Sequence, residues 1–163
     1  MSTTVWMAIG VAVVVVFWAA AVHNRLRQLR NRVDNAFAQI DVQLKRRHDL
    51  IPNLVEVARG YMAHESSTLE AVARARGQAA QAAAHARRHP GQAAAMASLA
   101  GAEAALGSSL GQLMVLTESY PDLKADAQMQ SLSEEITSTE NRLGFARQAY
   151  NDEILAYNDL ASQ

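Results

Sequence analysis

The sequence predicts an all-α protein, in which a single N-terminal transmembrane helix is followed by a long antiparallel bundle of about four helices with coiled-coil-like packing. Three observations support this prediction. Half of the 163 residues are apolar, yet only 6% are aromatic. Alanine, the strongest helix former, makes up about a fifth of the chain. Only three prolines and eight glycines interrupt it, and β-branched residues cluster only at the N-terminus.

The first predicted element is the membrane helix. Residues 5–22 contain no charge, and eighteen residues of helix span about 27 Å, close to the thickness of the bilayer hydrocarbon. Trp6 and Trp18 lie towards the two ends, where indole rings favour the interface. A cleaved signal peptide is the alternative, but "MSTT" lacks the positive charge expected before one. The sequence therefore predicts an anchor over residues 1–23 and a bundle over residues 24–163.

Positive residues follow the anchor directly and predict its orientation. They are Arg25, Arg27, Arg30 and Arg32. Because positive residues stay on the cytoplasmic side, we expect the N-terminus outside and the bundle in the cytoplasm, on a single-pass protein. The same arginines could reach anionic lipid headgroups of the bilayer. The alternative, which we favour for most of them, is that they only set topology.

Four amphipathic stretches follow. The first helix continues from the anchor to about residue 63, and Pro52 predicts a kink or a restart within it. A capping-box match, Ser67 with Glu70, predicts the start of a second helix over about 66–88. The turn signal Pro90-Gly91 separates it from a third helix over about 92–119. After the break "SYPDLK", a fourth helix over about 126–160 shows the three-and-four spacing of coiled coils.

Charge predicts that the first and last helices pair, since the first is basic and the last is acidic. In an antiparallel pair, Arg46 and Arg47 fall near the level of residues 134–140, and Asn35 falls near Tyr150. Exposed ion pairs contribute only about 0.2–1 kcal/mol each, so they would set register more than stability. The polar and ionic positions expected between these helices are Asn35, Arg46, Arg47, Glu134, Glu135, Glu140, Arg142 and Asn151.

Glu103 is an unusual residue in the third helix, because it falls on or beside the leucine seam. A buried carboxylate needs a partner, and Arg74 or Arg76 of the second helix could supply one. The alternative is that Glu103 turns aside into solvent.

The search for chemistry predicts no catalytic residue, no cofactor and no metal site. Cysteine is absent. His64-Glu65 begins like a zinc-protease motif, but Thr68 stands where the second histidine is required. His85 and His89 have metal-ligand spacing, but neighbouring arginines favour a solvated helix end. The net charge of −1 argues against nucleic acid as a partner.

Three stretches carry a resemblance to a known family. "NRVDNAFAQIDVQLKRRHDLIPNLVEVARGYMAHESSTL", "LTESYPDLKA" and "TENRLGFARQAYNDEILAYN" resemble the signature blocks of the LemA family of bacterial membrane proteins. The resemblance implies a transmembrane helix with a long helical bundle at the bacterial inner membrane, and no established enzymatic activity. Family members usually continue past the "YN" block with an aromatic, Phe-Pro-containing tail, whereas this sequence ends at "YNDLASQ".

The function predicted from these features is that of a membrane-anchored scaffold without catalysis. We expect it to form a homo-oligomer and to organise the lipid bilayer or recruit an unknown protein partner. Ala8 and Ala12 give a small-xxx-small match for helix association within the anchor. The alternatives are a protein that binds or remodels lipid surfaces, and an adaptor for a membrane protease.

Overall fold

The structure is all-helical, as the sequence predicts. It is a computed structural model that describes residues 3–162, apart from the side chain of Thr4. The helices are α1 (Thr3–Tyr61), α2 (Ser66–Arg88), α3 (Ala93–Thr117), α4 (Pro121–Ala125) and α5 (Ala127–Ala161). No strand occurs within these described residues.

Helix α1 combines two environments in one continuous helix. Its N-terminal apolar stretch has a mean hydropathy of 2.5 over the most apolar window, and none of that window is buried. From Val33 onwards the same helix buries one face against the bundle. Ala93–Thr117 of α3 is a second helix long and apolar enough to cross a membrane, but its leucines are buried in the bundle.

The long helices form an antiparallel bundle. Helix α1 packs mainly against α5 and α2, and α2 packs against α3. Contacts between α1 and α5 run from Tyr61 with Asp126 at one end to Phe37 with Tyr150 at the other. Residue numbers therefore rise along α1 as they fall along α5, and α5 ends towards the apolar segment with which α1 begins.

The interior divides into two apolar clusters. The distal core, far from the apolar segment of α1, includes Ile51, Leu54, Val55, Ala58, Met62, Leu69, Val72, Ala75, Ala79, Leu106, Leu110, Leu113, Leu123, Met129, Leu132 and Ile136. The proximal core, nearer that segment, consists of Val33, Phe37, Ile40, Leu44, Ala83, Ala86, Ala95, Leu99, Leu143 and Tyr150.

Local structure differs from the sequence-based prediction at two places, and at a third, Pro52, it excludes one of the two predicted alternatives. Helix α1 runs through Pro52 without a restart. Helix α2 begins at Ser66, so Ser67 is already inside the helix, and the preceding Glu65 provides no side-chain cap. Part of the predicted break forms α4, where Pro121 occupies the first turn, the position at which its missing N–H has no helical partner to lose.

Candidate functional site: a buried ionic layer

Charged side chains lie buried between the distal and proximal cores. Arg47 and His48 of α1 are 3% and 5% exposed, and Glu103 of α3 is 3% exposed. Arg76 of α2 and Glu140 of α5 contact this group from the two remaining long helices. We call these five residues the ionic layer, because together they connect all four long helices at one level of the bundle.

Glu103 is the acceptor at the centre of the layer. Arg47 Nη1 donates to Glu103 Oε2 over 3.1 Å, and His48 Nε2 lies 2.6 Å from Glu103 Oε1. Burial of a carboxylate is costly unless its oxygens are bonded, and here each oxygen has its own partner. The prediction that Arg74 or Arg76 serves as this partner is wrong. The cations come instead from α1, where residues 47 and 48 both point into the bundle.

Pro52 explains how α2 joins the layer. A proline inside a helix lacks the N–H that would donate to the carbonyl four residues earlier, which in α1 is the carbonyl of His48. Arg76 Nε donates to this carbonyl oxygen over 3.0 Å. The proline therefore frees a backbone acceptor beside the buried imidazole, and an arginine from the neighbouring helix occupies it.

The contacts within the ionic layer do not provide a hydrogen-bond partner for every buried polar atom near it. Arg47 Nη2 lies 3.9 Å from Glu140 Oε2, but Arg47 Nε has no hydrogen-bond partner among the described residues. The same holds for Oε1 of Gln43, one turn earlier on α1. Unpaired buried polar atoms cost about 1–3 kcal/mol each. The layer is therefore better suited to fixing the register of the helices than to maximising stability.

A polar cavity of about 400 Å³ lies beside the layer, in the groove between α1 and α2. His48 and Arg76 line it, and alanines of α2 keep it open. Asp41 and Arg87 close one side through two hydrogen bonds of 2.7 and 2.9 Å, which raise the pKa of the Arg87 guanidinium. His48 thus lies between this groove and buried Glu103.

Outside the layer, the structure brings together only some of the positions predicted between α1 and α5. Arg46 forms an exposed ion pair with Glu135. Tyr150 packs edge-on against Phe37 and donates its hydroxyl to the Pro90 carbonyl over 2.6 Å. Four predicted positions are exposed and make no side-chain hydrogen bond or ion pair within residues 3–162. They are Asn35, Glu134, Arg142 and Asn151.

The arginines that follow the apolar segment are exposed. Arg27 and Arg30 line two cavities at the proximal end of the bundle, and Arg25 and Arg32 line neither of these two. The rings of His85 and His89 pack against each other at a tilt of 42°, with their centroids 4.8 Å apart. Within the described residues, no group of three or more His, Asp or Glu side chains is arranged to hold a metal ion.

His48 is the member of the layer that sequence reasoning missed. It follows Leu44 by one turn and precedes Ile51 by three residues, so it lies on the apolar face of α1. A histidine on such a face, four residues before a proline, is a usable signal. The proline predicts an unpaired carbonyl at that residue, and the buried ring predicts a partner from another helix.

These features define a class of protein: an antiparallel helical bundle, tied by a buried ionic layer, whose longest helix extends into an apolar candidate membrane anchor. The chain belongs to the LemA family, whose sequence model matches residues 36–163. The match includes the ionic layer, the distal core and all of the proximal core except Val33, and it excludes the apolar segment. A comparison with curated proteins returns no match.

Proposed function

We propose that this protein is a membrane-anchored scaffold, which self-associates and organises the membrane or recruits a protein partner without catalysis. The apolar segment of α1 spans the bacterial inner membrane, with the N-terminus outside and the bundle in the cytoplasm. This orientation is supported by the four arginines that follow the segment, because positive residues are retained on the cytoplasmic side.

The observation that carries the proposal is the continuity of α1. One helix of 59 residues supplies both the apolar segment and a wall of the bundle. Because this helix is continuous, no flexible linker separates the anchor from the folded part, and each residue between them adds about 1.5 Å of helix. Such an arrangement holds the bundle at a fixed height and angle over the membrane, which suits a scaffold that presents a surface to other molecules.

Helix α3 supports self-association. Its single charged residue, Glu103, is buried, so its exposed face carries no charge over 25 residues. A helix that is apolar or small all round is usually covered on all sides. Residues at alternating steps of four and three form an exposed outer seam, comprising Ala97, Gly101, Ala104, Ser108, Gly111 and Val115. Small residues at coiled-coil spacing allow the backbone of a second copy to approach closely.

The absence of catalysis is part of the proposal and rests on how the buried charges are engaged. Glu103 is held by Arg47 and His48, and the backbone of His48 is held by Arg76. These contacts join the helices to one another and direct the buried polar groups inwards. Groups arranged in this way fix the register of a bundle.

Light scattering on the full chain in detergent and in lipid nanodiscs tests self-association. We expect a protein mass of at least two 17.7 kDa protomers in both media. Ala104→Glu introduces charge into the outer seam and should shift the protein towards the monomer. The control is Ala73→Glu, at an exposed position of α2, which should leave the mass unchanged. A protein that is monomeric in both media contradicts the proposal.

A further inference from the structure

A large cavity lies at the proximal end of the bundle. Its volume is about 910 Å³, within the usual range of about 300–1,000 Å³ for small-molecule sites. Three parts of the fold enclose it: α1 near Arg30, the turn between α2 and α3, and the last third of α5. Because Tyr150 donates its hydroxyl to the Pro90 carbonyl, the turn is fixed to the wall of the cavity.

A second cavity extends the first towards the apolar segment. It has a volume of about 540 Å³, shares Arg30 and Tyr157 with the first, and reaches His23, Leu26 and Arg27. We call the two together the proximal groove. It runs along α1 and α5 from the start of the bundle to the edge of the apolar segment.

The groove has an apolar floor. Val33 belongs to the proximal core, and Met96, Ile154 and Tyr157 pack against that core while remaining partly exposed. These side chains come from α1, α3 and α5, so the floor exists only in the assembled bundle. An occupant with an apolar part would gain from covering this surface.

The rim of the groove is basic. Arg27, Arg30 and Arg88 line it, together with two histidines, and the acidic side chain among the lining residues is Asp34. The carboxylates near the end of α5, at positions 152, 153 and 159, line neither cavity. The groove therefore carries a local positive charge, although the whole chain has a net charge of −1.

The position of the rim along α1 matches the level of lipid headgroups. Arg27 and Arg30 follow Val22 by five and eight residues, or about 7.5 and 12 Å of helix. Headgroups occupy about 5–8 Å beyond the hydrocarbon on each side of a bilayer, and arginine side chains extend the reach of the helix. Basic pockets at this level on the cytoplasmic side are suited to anionic headgroups.

We propose that the proximal groove binds an anionic phospholipid of the membrane that holds α1. The lipid phosphate is held by Arg27, Arg30 and Arg88, and the glycerol and upper acyl region cover the apolar floor. The bundle would then be fixed to the bilayer at a second point, beside its anchor. This inference rests on the membrane anchoring proposed above.

Native mass spectrometry of the full chain tests the proposal. The protein is released from nanodiscs of equal phosphatidylglycerol and phosphatidylcholine, and the lipids it retains are counted. We expect preferential retention of phosphatidylglycerol. The double variant Arg30→Gln/Arg88→Gln should lose at least about tenfold of this preference, since a hydrogen bond to a charged group contributes at least about tenfold.

The matched control is Arg25→Gln/Arg32→Gln, which removes the same charge from α1 outside the groove and should retain the preference. A second pair leaves charge unchanged. Ala93 lines the groove, so Ala93→Trp should block retention, whereas Ala94→Trp, at an exposed position outside the groove, should not. Equal losses in the groove and control variants would indicate a diffuse surface effect and overturn the proposal.

Two further outcomes separate this inference from the proposed function. A chain that fails to float with vesicles is not anchored, and both proposals then fail. A chain that floats but retains the two lipids equally overturns the lipid site alone. Displacement of retained phosphatidylglycerol by millimolar inorganic phosphate would show that the groove recognises free phosphate, which also overturns the lipid assignment.

Discussion

The two cores of the bundle are built differently. The distal core uses large side chains from every helix, and α4 covers it through fully buried Leu123. The proximal core takes only alanines from α2, and its larger side chains come from α1, α3 and α5. Cavities of about 910 and 210 Å³ flank the proximal core. The proximal end of the bundle is therefore open to solvent.

Helix α2 shows the difference between the two cores most clearly. In the distal half it buries Leu69 and Val72, and in the proximal half it buries Ala83 and Ala86. Each larger side chain removes more apolar area from water, so the distal half contributes more hydrophobic stabilisation. The proximal half leaves room for an occupant. The ionic layer lies between the halves and keeps them in one register.

Breaking the ionic layer should have the largest effect on stability, because the layer lies between the two cores. Arg47→Met leaves Glu103 buried with His48 as its remaining partner. Removing one member of a buried pair typically costs about 3–5 kcal/mol, a large part of the stability of an ordinary domain. Denaturant unfolding of the full chain in detergent, followed by circular dichroism, measures this loss. Hydrogen exchange should show that both cores lose protection.

Two controls define the result. Arg46→Met breaks the exposed pair with Glu135 and should cost no more than about 1 kcal/mol. Arg47→Met combined with Glu103→Leu removes the uncompensated charge and should recover much of the loss. If Arg47→Met and Arg46→Met have the same free energy of unfolding, the ionic layer does not hold the two halves of the bundle together.

An intermediate effect is expected at the proximal end from Tyr150→Phe. The hydroxyl of Tyr150 donates to the Pro90 carbonyl over 2.6 Å, and burial together with the charge of Asp34 raises its pKa. Loss of one such hydrogen bond costs about 0.5–1.5 kcal/mol. Hydrogen exchange should show faster opening of the turn between α2 and α3, with little change in the distal core.

Tyr120→Phe is the matched change at the distal end. Tyr120 donates to Glu65 Oε1 over a longer distance, 3.4 Å, and is part-buried. Its removal should therefore destabilise the chain less than Tyr150→Phe does, in the same unfolding experiment. If Tyr120→Phe lowers the free energy of unfolding more than Tyr150→Phe does, then the hydrogen bond from Tyr150 to the proximal turn is not the stronger of the two.

The fold could be predicted from the sequence because its signals are local and redundant. Leucines on one seam predict α3, and steps of three and four predict α5 over about 126–160, where it begins at Ala127. The pairing of α1 with α5 was predicted from the opposite charges of the two helices. Where one residue had several competing roles, the prediction was less successful. Ser67 matches a capping box, but Ser66 already has helical geometry, which excludes Ser67 as the cap.

The ionic layer could be predicted only in part. The spacing shows that Glu103 lies near a seam, but which cation meets it depends on the rotation of α1 about its axis. Arg47 turns inwards while Arg46 turns towards Glu135, and the two are adjacent in sequence. The role of Pro52 was also not found, because the carbonyl that it frees accepts from another helix. Pairwise contacts of this kind depend on tertiary packing.

The last prediction concerns the distal closure of α1 and α5 and should have the smallest effect. Asp126 caps α5 by accepting from the Met129 backbone N–H over 2.9 Å, and it also accepts from the Tyr61 hydroxyl over 3.0 Å. The bond from Met129 is the main reason that the pKa of Asp126 is lowered, and Tyr61 adds to it. The hydrogen bond between Tyr61 and Asp126 raises the pKa of the Tyr61 hydroxyl.

The sign of the pH dependence follows from this direction. A carboxyl group with a lowered pKa in the folded state stabilises the fold fully above its unfolded pKa, about 3.9, and loses that contribution as pH falls through the folded value. The Tm of the natural chain should therefore fall more steeply below about pH 4 than that of Asp126→Asn, since asparagine still caps a helix but does not titrate there. Glu134→Gln, at an exposed position of α5, should keep the natural slope. If Asp126→Asn keeps it too, then the distal closure does not depend on the charge of Asp126, and neutral hydrogen bonds to Met129 and Tyr61 are sufficient to hold α1 against α5.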